Sequence, residues 1–189
     1  MKALGQFIVE PAAGKLYDNK RKTENGSYLI NTNFENHEAT NRIAIVISTP
    51  INYKGNVKEG SEAIVHHNVF RKYNDIRGDE SYSSGLIKDD LYLVDAEIEI
   101  YAHRESKTDL WTSIYPYSFV TPIKNDSNLY KVEAEKNLYG IMKITNPYLQ
   151  SIGVEVGDEI CFKPDSEYEF NIDGEKMYRI NSANICLKP

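Results

Sequence analysis

Short apolar runs broken by turn residues recur along the whole chain. In the first half they are Gln6 to Val9, Arg42 to Ile47, Glu62 to Val65, Leu91 to Val94 and Ile98 to Tyr101. The second half repeats the rhythm with Ser118 to Val120, Gly140 to Ile144, Glu159 to Phe162, Met177 to Ile180 and Asn184 to Leu187. Runs of this length, rich in β-branched and aromatic residues and bounded by Gly, Pro, Asn and Asp, predict strands. No stretch carries an apolar stripe of helical period longer than two turns. The pattern therefore predicts an all-β protein, and many short strands hide their edges best by closing into barrels or sandwiches.

The second set of runs resembles a copy of the first. Phe7-Ile8-Val9-Glu10-Pro11 aligns with Phe119-Val120-Thr121-Pro122 if one residue is deleted. Val57-Lys58-Glu59-Gly60-Ser61-Glu62 aligns with Val154-Glu155-Val156-Gly157-Asp158-Glu159, in each case a tight polar turn whose glycine can take positive φ. Tyr92, Val94, Ala96, Ile98 and Ile100 match Tyr178, Ile180, Ala183, Ile185 and Leu187, with one residue inserted between tyrosine and alanine. Three matches in one order predict an internal duplication.

The copies differ in their connections. The first carries a polar stretch over 15–41 between its first two strands, which cannot supply a core and is long for a plain connection. Inside it stands an isolated apolar triplet, Tyr28-Leu29-Ile30, preceded by Gly26 and Ser27. A second insertion, 69–85, reads as a surface hairpin or lid. The organisation expected is a first domain over 1–103, a linker over 104–117 holding the single Trp111, and a shorter second domain over 118–189 without a mobile loop.

Charge narrows the partners. The chain has 189 residues with 22 Lys and Arg against 28 Asp and Glu, a net charge of −6, which repels polyphosphate and argues against nucleic acid. The fourteen tyrosines agree with half-buried pleated surfaces. Cys161 and Cys186 are far apart in sequence without a CxxC spacing, so neither a zinc knuckle nor a disulfide framework is indicated, and a reducing cytoplasm is expected. No run reaches the length of a signal peptide or of a membrane span, so no membrane partner is expected.

Order and spacing give the chain a family resemblance. A first strand ends in Glu10-Pro11, a polar loop surrounds Gly26 to Ile30, the strand Arg42 to Val46 follows, then Val57-Lys58-Glu59-Gly60, then Ile87 to Val94 with Ala96 and Ile98. In the second copy, Val156-Gly157-Asp158 and Ile172-Asp173-Gly174-Glu175-Lys176-Met177-Tyr178 repeat the last two motifs. This succession resembles the GroES-type co-chaperonins, fully over about 1–102 and in shortened form over 118–187. Ser27, Ser61, Tyr28 and Asn31 depart from the family's usual residues, and the abundance of Asn, Lys, Tyr and Ile resembles its phage-encoded members.

The resemblance implies two tandem GroES-like irregular β-barrels, the second shortened and lacking the mobile loop. It implies a homo-oligomeric ring that caps a GroEL-type chaperonin, with ATP bound by the partner and no cofactor on this chain. Gly26, Ser27, Tyr28, Leu29 and Ile30 would bind the chaperonin. A loop that orders on binding makes weak single contacts, which a ring of loops converts into a tight, switchable complex. The family's ring pairs the first strand of one subunit with the last of the next, which here implicates Phe7, Ile8 and Val9 with Ile98 and Ile100, or with Ile185 and Leu187.

Chemistry by this chain itself is not expected. His66-His67 stands at the end of a strand-like run, where neighbouring side chains point to opposite faces and cannot share one ion. No Gly-x-Ser-x-Gly, Walker loop or HExxH is present, and Asp79-Glu80 and Asp89-Asp90 read as solvated surface. The competing reading is a phage virion or assembly protein that uses the loop and the 69–85 insertion as interface arms, since a fold does not fix a function.

Overall fold

The computed structural model describes residues 2–17, 20–23, 26–29, 39–124 and 135–189, with 20–23 and 26–29 described by their backbone. It separates into two units, Met1–Leu110 and Trp111–Pro189. The stretch read as a linker is divided between them. Its second part is tied into the second unit, where Trp111 Nε1 donates to Asp173 at 3.0 Å and Ser113 N donates to Thr145 O at 3.2 Å.

The first unit contains β1 (Phe7–Pro11), β2 (Lys20–Thr23), β3 (Gly26–Leu29), β4 (Ile43–Ser48), β5 (Glu62–Val65), β6 (Lys72–Asn74), β7 (Glu80–Tyr82), β8 (Leu86–Lys88), β9 (Leu91–Val94) and β10 (Ile100–Arg104). The second contains β11 (Thr112–Ser113), β12 (Tyr117–Lys124), β13 (Glu135–Ile144), the helix α1 (Pro147–Ser151), β14 (Glu159–Phe162), β15 (Tyr168–Ile172), β16 (Glu175–Asn181) and β17 (Ile185–Leu187). The chain is all-β with antiparallel sheets, as its pattern predicts.

The duplication is visible in the hydrogen bonding. Six strands of the first unit run in the order β10-β5-β4-β1-β9-β8, and six of the second in the order β17-β14-β13-β12-β16-β15, which is the same topology strand for strand. In β1 against β4, Val9 faces Val46 and Pro11 faces Ala44; in β12 against β13, Val120 faces Met142 and Pro122 faces Gly140. Both pairs slip register at the same place, between Ile8 and Val9 and between Phe119 and Val120. The turn before the third strand also recurs. Lys58 N donates to Ser61 Oγ and Glu155 N to Asp158 Oδ2, while Gly60 N and Gly157 N reach Val46 O and Met142 O, each from positive φ.

Two of the sequence alignments need shifting. Val9 and Pro11 correspond to Val120 and Pro122 with no deletion, so Phe7 corresponds to Ser118 and Ile8 to Phe119. At the end of each copy Tyr92 and Val94 do match Tyr178 and Ile180, but Ile100 corresponds to Ile185 and Ala102 to Leu187. The second shift comes from connection length: eight positions separate Tyr92 from Ile100 but seven separate Tyr178 from Ile185, while the bulge in the last strand recurs at the same place in both copies.

Among the described residues neither sheet returns to its own first strand, so the closed barrels expected from the pattern are open sheets in their hydrogen bonding. The end strands β8 and β17 are three residues long and offer little edge to pair, whereas β15 at the other end of the second sheet is five residues long. Each unit has its own core. In the first, Phe7, Val9, Val46, Ile64, Phe70, Tyr92 and Ile100 are buried; in the second, Val120, Met142, Leu149, Val154, Ile160, Phe162 and Ile180 pack together. Each such side chain contributes about 1.5–3 kcal/mol. The short helix α1 delivers Leu149 to that core, started by Pro147 and by the Asn146 side chain, which accepts from Leu149 N at 3.0 Å.

Candidate functional site

Two hairpins interrupt the first unit where the second unit has shorter connections. The first is β2 with β3, between β1 and β4, in which Lys20 faces Leu29, Arg21 faces Tyr28, Lys22 faces Ser27 and Thr23 faces Gly26. Four of the five residues read as chaperonin-binding therefore lie on β3. Ile30, with the rest of 30–38, lies outside the described residues, as does the second copy's connection over 125–134.

The two legs of this arm's stem are tied together where β4 begins. Tyr17 bridges Thr40, Asn41 N donates to Leu16 O at 2.8 Å, and the Asn41 amide donates to Ala12 O at 3.0 Å and to Lys15 O at 2.8 Å. The same side chain accepts from Ile43 N at 2.9 Å, which sets the start of β4. Asn41 thus satisfies backbone groups on both sides of the insertion with one amide.

The second hairpin is β6 with β7, inside the 69–85 insertion. Asp75 Oδ1 accepts from Arg77 N at 2.8 Å and Asp79 N at 2.9 Å, and Gly78 completes the turn at φ +85°. Ile76 at the tip is fully exposed. Lys72 pairs with Glu80 at 2.5 Å, and Tyr82 also donates to that carboxylate. Hydrogen bonds from Lys72 and Tyr82 hold the Glu80 carboxyl below its ordinary range, and the bond to Glu80 raises Lys72. Tyr17 joins the two insertions, its hydroxyl meeting both backbone groups of Lys72. Ile76 and Tyr17 are not singled out by the sequence, where the signals are a mixed-charge segment around Ile76 and a polar insertion around Tyr17.

The residues read as an oligomer interface are not a common surface. Phe7, Ile8 and Val9 are buried, and β1 is paired on both flanks, with β4 on one side and β9 on the other. A neighbour's strand could join β1 only by displacing one of these, so the reading of β1 as an intersubunit edge is corrected. Ile100 is buried opposite Val65 and Ile185 is half-buried against the second core. Ile98 and Leu187 are exposed, Ile98 between β9 and β10 and Leu187 on the end strand β17.

The histidines also need correction. β5 ends at Val65, so His66 and His67 are past the strand and its alternation; their rings lie 4.1 Å apart between centroids, tilted by 31°. Asn68 N donates to His66 Nδ1 at 3.1 Å. Among the described residues no group of three or more His, Cys, Asp or Glu side chains could hold a metal ion, and no helix is long and apolar enough to cross a membrane.

Buried polar groups distinguish the copies. Glu62 and Arg104 form a buried ion pair with side-chain exposures of 6% and 8%, joined through Oε2 at 2.7 Å to Nε and 2.6 Å to Nη2. The equivalent Glu159 instead pairs with Lys136 at the surface. Tyr178 donates to Glu135 at 2.5 Å, whereas the equivalent Tyr92 is buried against Phe70 and its hydroxyl has no hydrogen-bond partner among the described residues. Burial, with a smaller contribution from Asp90, pushes the Tyr92 phenol up to about 12. No protein-family model matches this chain, and no curated protein matches it.

Proposed function

We propose that this chain is a recognition protein of the co-chaperonin type, which uses the β2–β3 arm to bind a GroEL-type chaperonin. One observation carries the reading: an arm bearing Tyr28 and Leu29 is inserted between β1 and β4 of a duplicated sheet scaffold, and its stem is closed by Asn41 and by the bridge between Tyr17 and Thr40. Anchoring the stem limits the entropy lost when the arm docks, and repeated display in an oligomer multiplies weak contacts. In this reading the units are GroES-like barrels, ATP acts on the partner, and subunits meet through the outer strands rather than through β1. Leu187 on β17 supplies an exposed apolar contact there.

The test is to mix the protein with a GroEL-type chaperonin and ATP and size the products. A co-complex is expected, and Leu29→Ser should abolish it while leaving thermal unfolding unchanged. Absence of any complex with the unmodified protein overturns the reading.

A second reading is favoured by the filled flanks of β1, which deny the strand exchange of the resembled ring. In it the chain is a phage virion or assembly protein whose two hairpins are permanent interface arms. Assembly with other virion proteins, and none with a chaperonin, is its expected outcome.

A further inference from the structure

The chain's two cysteines, remote in sequence, stand on neighbouring strands. In β14 against β17, Cys161 faces Leu187 and Phe162 faces Ile185, and the register slips between those two pairs. Cys186 is therefore the extra residue of a bulge, adjacent to the position opposite Cys161. Leu187 is the residue opposed to Cys161, and opposed residues of antiparallel strands have Cα atoms about 4.5–5.5 Å apart, so Cys186 beside it stands close to the roughly 4.4–6.8 Å range that a disulfide spans.

The side chains share the solvent face. Ile160 and Phe162 enter the core of the second unit, so Cys161 between them turns away from it and is partly exposed. Ile185 packs on the same core, while Cys186 and Leu187 are exposed. Both thiols are free, and among the described residues their sulfurs make long contacts, Cys161 to Phe162 O at 4.0 Å and Cys186 to Asn184 O at 3.6 Å. In the first copy the same two positions hold Ile64 and Tyr101, both buried. The only two cysteines of the chain thus occupy the two members of one neighbouring pair.

We infer that Cys161 and Cys186 are a redox-responsive pair that closes a disulfide between β14 and β17. β17 is a three-residue end strand whose further anchor is Lys188, bonded to Asp158 at 2.6 Å and to Gly153 O at 3.0 Å, so the bond would staple the least supported strand of its sheet. The oxidant is a small-molecule disulfide such as oxidised glutathione. The exposed Cys186 thiolate attacks one of its sulfurs and expels one glutathione thiolate. Cys161 thiolate then attacks the Cys186 sulfur of the mixed disulfide and expels the second. One disulfide is reduced, one is formed, and the two thiol protons pass to the released glutathiones.

The experiment equilibrates the folded full chain in glutathione redox buffers and maps its peptides without reduction. The expected product is a monomer that has lost two hydrogens, with the peptides bearing Cys161 and Cys186 joined. Cys161→Ser should stop at a glutathione adduct on Cys186. In urea the equilibrium constant for the unmodified chain should fall by about an order of magnitude or more, because the fold no longer holds the thiols together. A persistent adduct on Cys186 of the unmodified chain, a link between two chains, or an unchanged constant in urea overturns the inference. The urea comparison uses no variant, so it stands even if Cys161→Ser fails to fold.

Discussion

The hydroxyl of Tyr17 occupies both hydrogen-bonding groups of the Lys72 backbone, accepting from its N–H at 3.1 Å and donating to its C=O at 2.6 Å. A residue at the stem of one hairpin thereby completes the base of the other, a link absent from local sequence because the partners are 55 positions apart. Tyr17→Phe keeps the ring and removes both bonds. The expected loss is about 1–2 kcal/mol in urea unfolding. Hydrogen exchange should quicken in β6 and β7 as well as around Tyr17. Unchanged exchange in β6 and β7 would show that the hairpins are independent.

Gly140 and Ala44 hold equivalent positions with opposite tolerances. A Cβ on Gly140 would lie 2.7 Å from Val120 Cγ2 and 3.1 Å from Thr121 O, and its neighbour across the sheet is Ile160, where Ala44 faces Ala63. Gly140→Ala should cost about 1–3 kcal/mol through overpacking. Ala44→Gly should cost about 0.5–1 kcal/mol through backbone entropy. Chemical denaturation of both variants measures the difference, and equal costs would contradict the packing described for the second unit.

Glu62 and Glu159 are the same residue at the same place in two environments. Glu62→Gln leaves Arg104 buried without its carboxylate and should cost about 3–5 kcal/mol. Glu159→Gln removes a surface pair and should stay within about 1 kcal/mol. Comparable losses from the two substitutions in urea unfolding would refute the contrast in burial.

His103 predicts the acid side of the stability profile. Burial lowers its pKa from the ordinary 6.5, outweighing the opposing pull of Glu105, while Lys58 lowers it further. Nδ1 has no hydrogen-bond partner among the described residues. The unfolded chain then binds the proton first, so this contribution is present above about pH 6.5 and is lost as pH falls toward the folded value. The urea midpoint should drop between about pH 7.5 and 5.5, and His103→Gln should flatten that drop. Parallel profiles for the two proteins would remove His103 as the cause.

The sequence disclosed what depends on local pattern. Strand character, the polar turn before β5 and β14 with its glycine, and the pairing of Tyr92 with Tyr178 all follow from alternation and turn chemistry within a few residues. Residue identity and connection length hid the rest. The slips in β1 and β10 recur in the second copy and leave the correspondence intact, but Phe7 aligns by identity with Phe119, and the stretch from Tyr92 to Ile100 is one residue longer than that from Tyr178 to Ile185, which puts Ile98 in the place of Ile100. The arm at 15–41 was legible as an insertion, and its apolar triplet as an oddity. Its attachment through Tyr17 to Lys72, the pairing of β1 with both β4 and β9, and the placing of Cys161 and Cys186 on paired strands are long-range facts that no spacing rule encodes.

Having β1 in the middle of its sheet also sets a timetable for synthesis. Its two partners are made at different times, Ile43–Ser48 early and Leu91–Val94 much later, so the opening strand waits half-covered until the ninth strand has left the ribosome. The first unit can then finish before most of the second exists, and the second repeats the wait with Tyr117–Lys124 held for Glu175–Asn181. A nascent chain arrested between those points would carry one completed unit and one exposed ribbon.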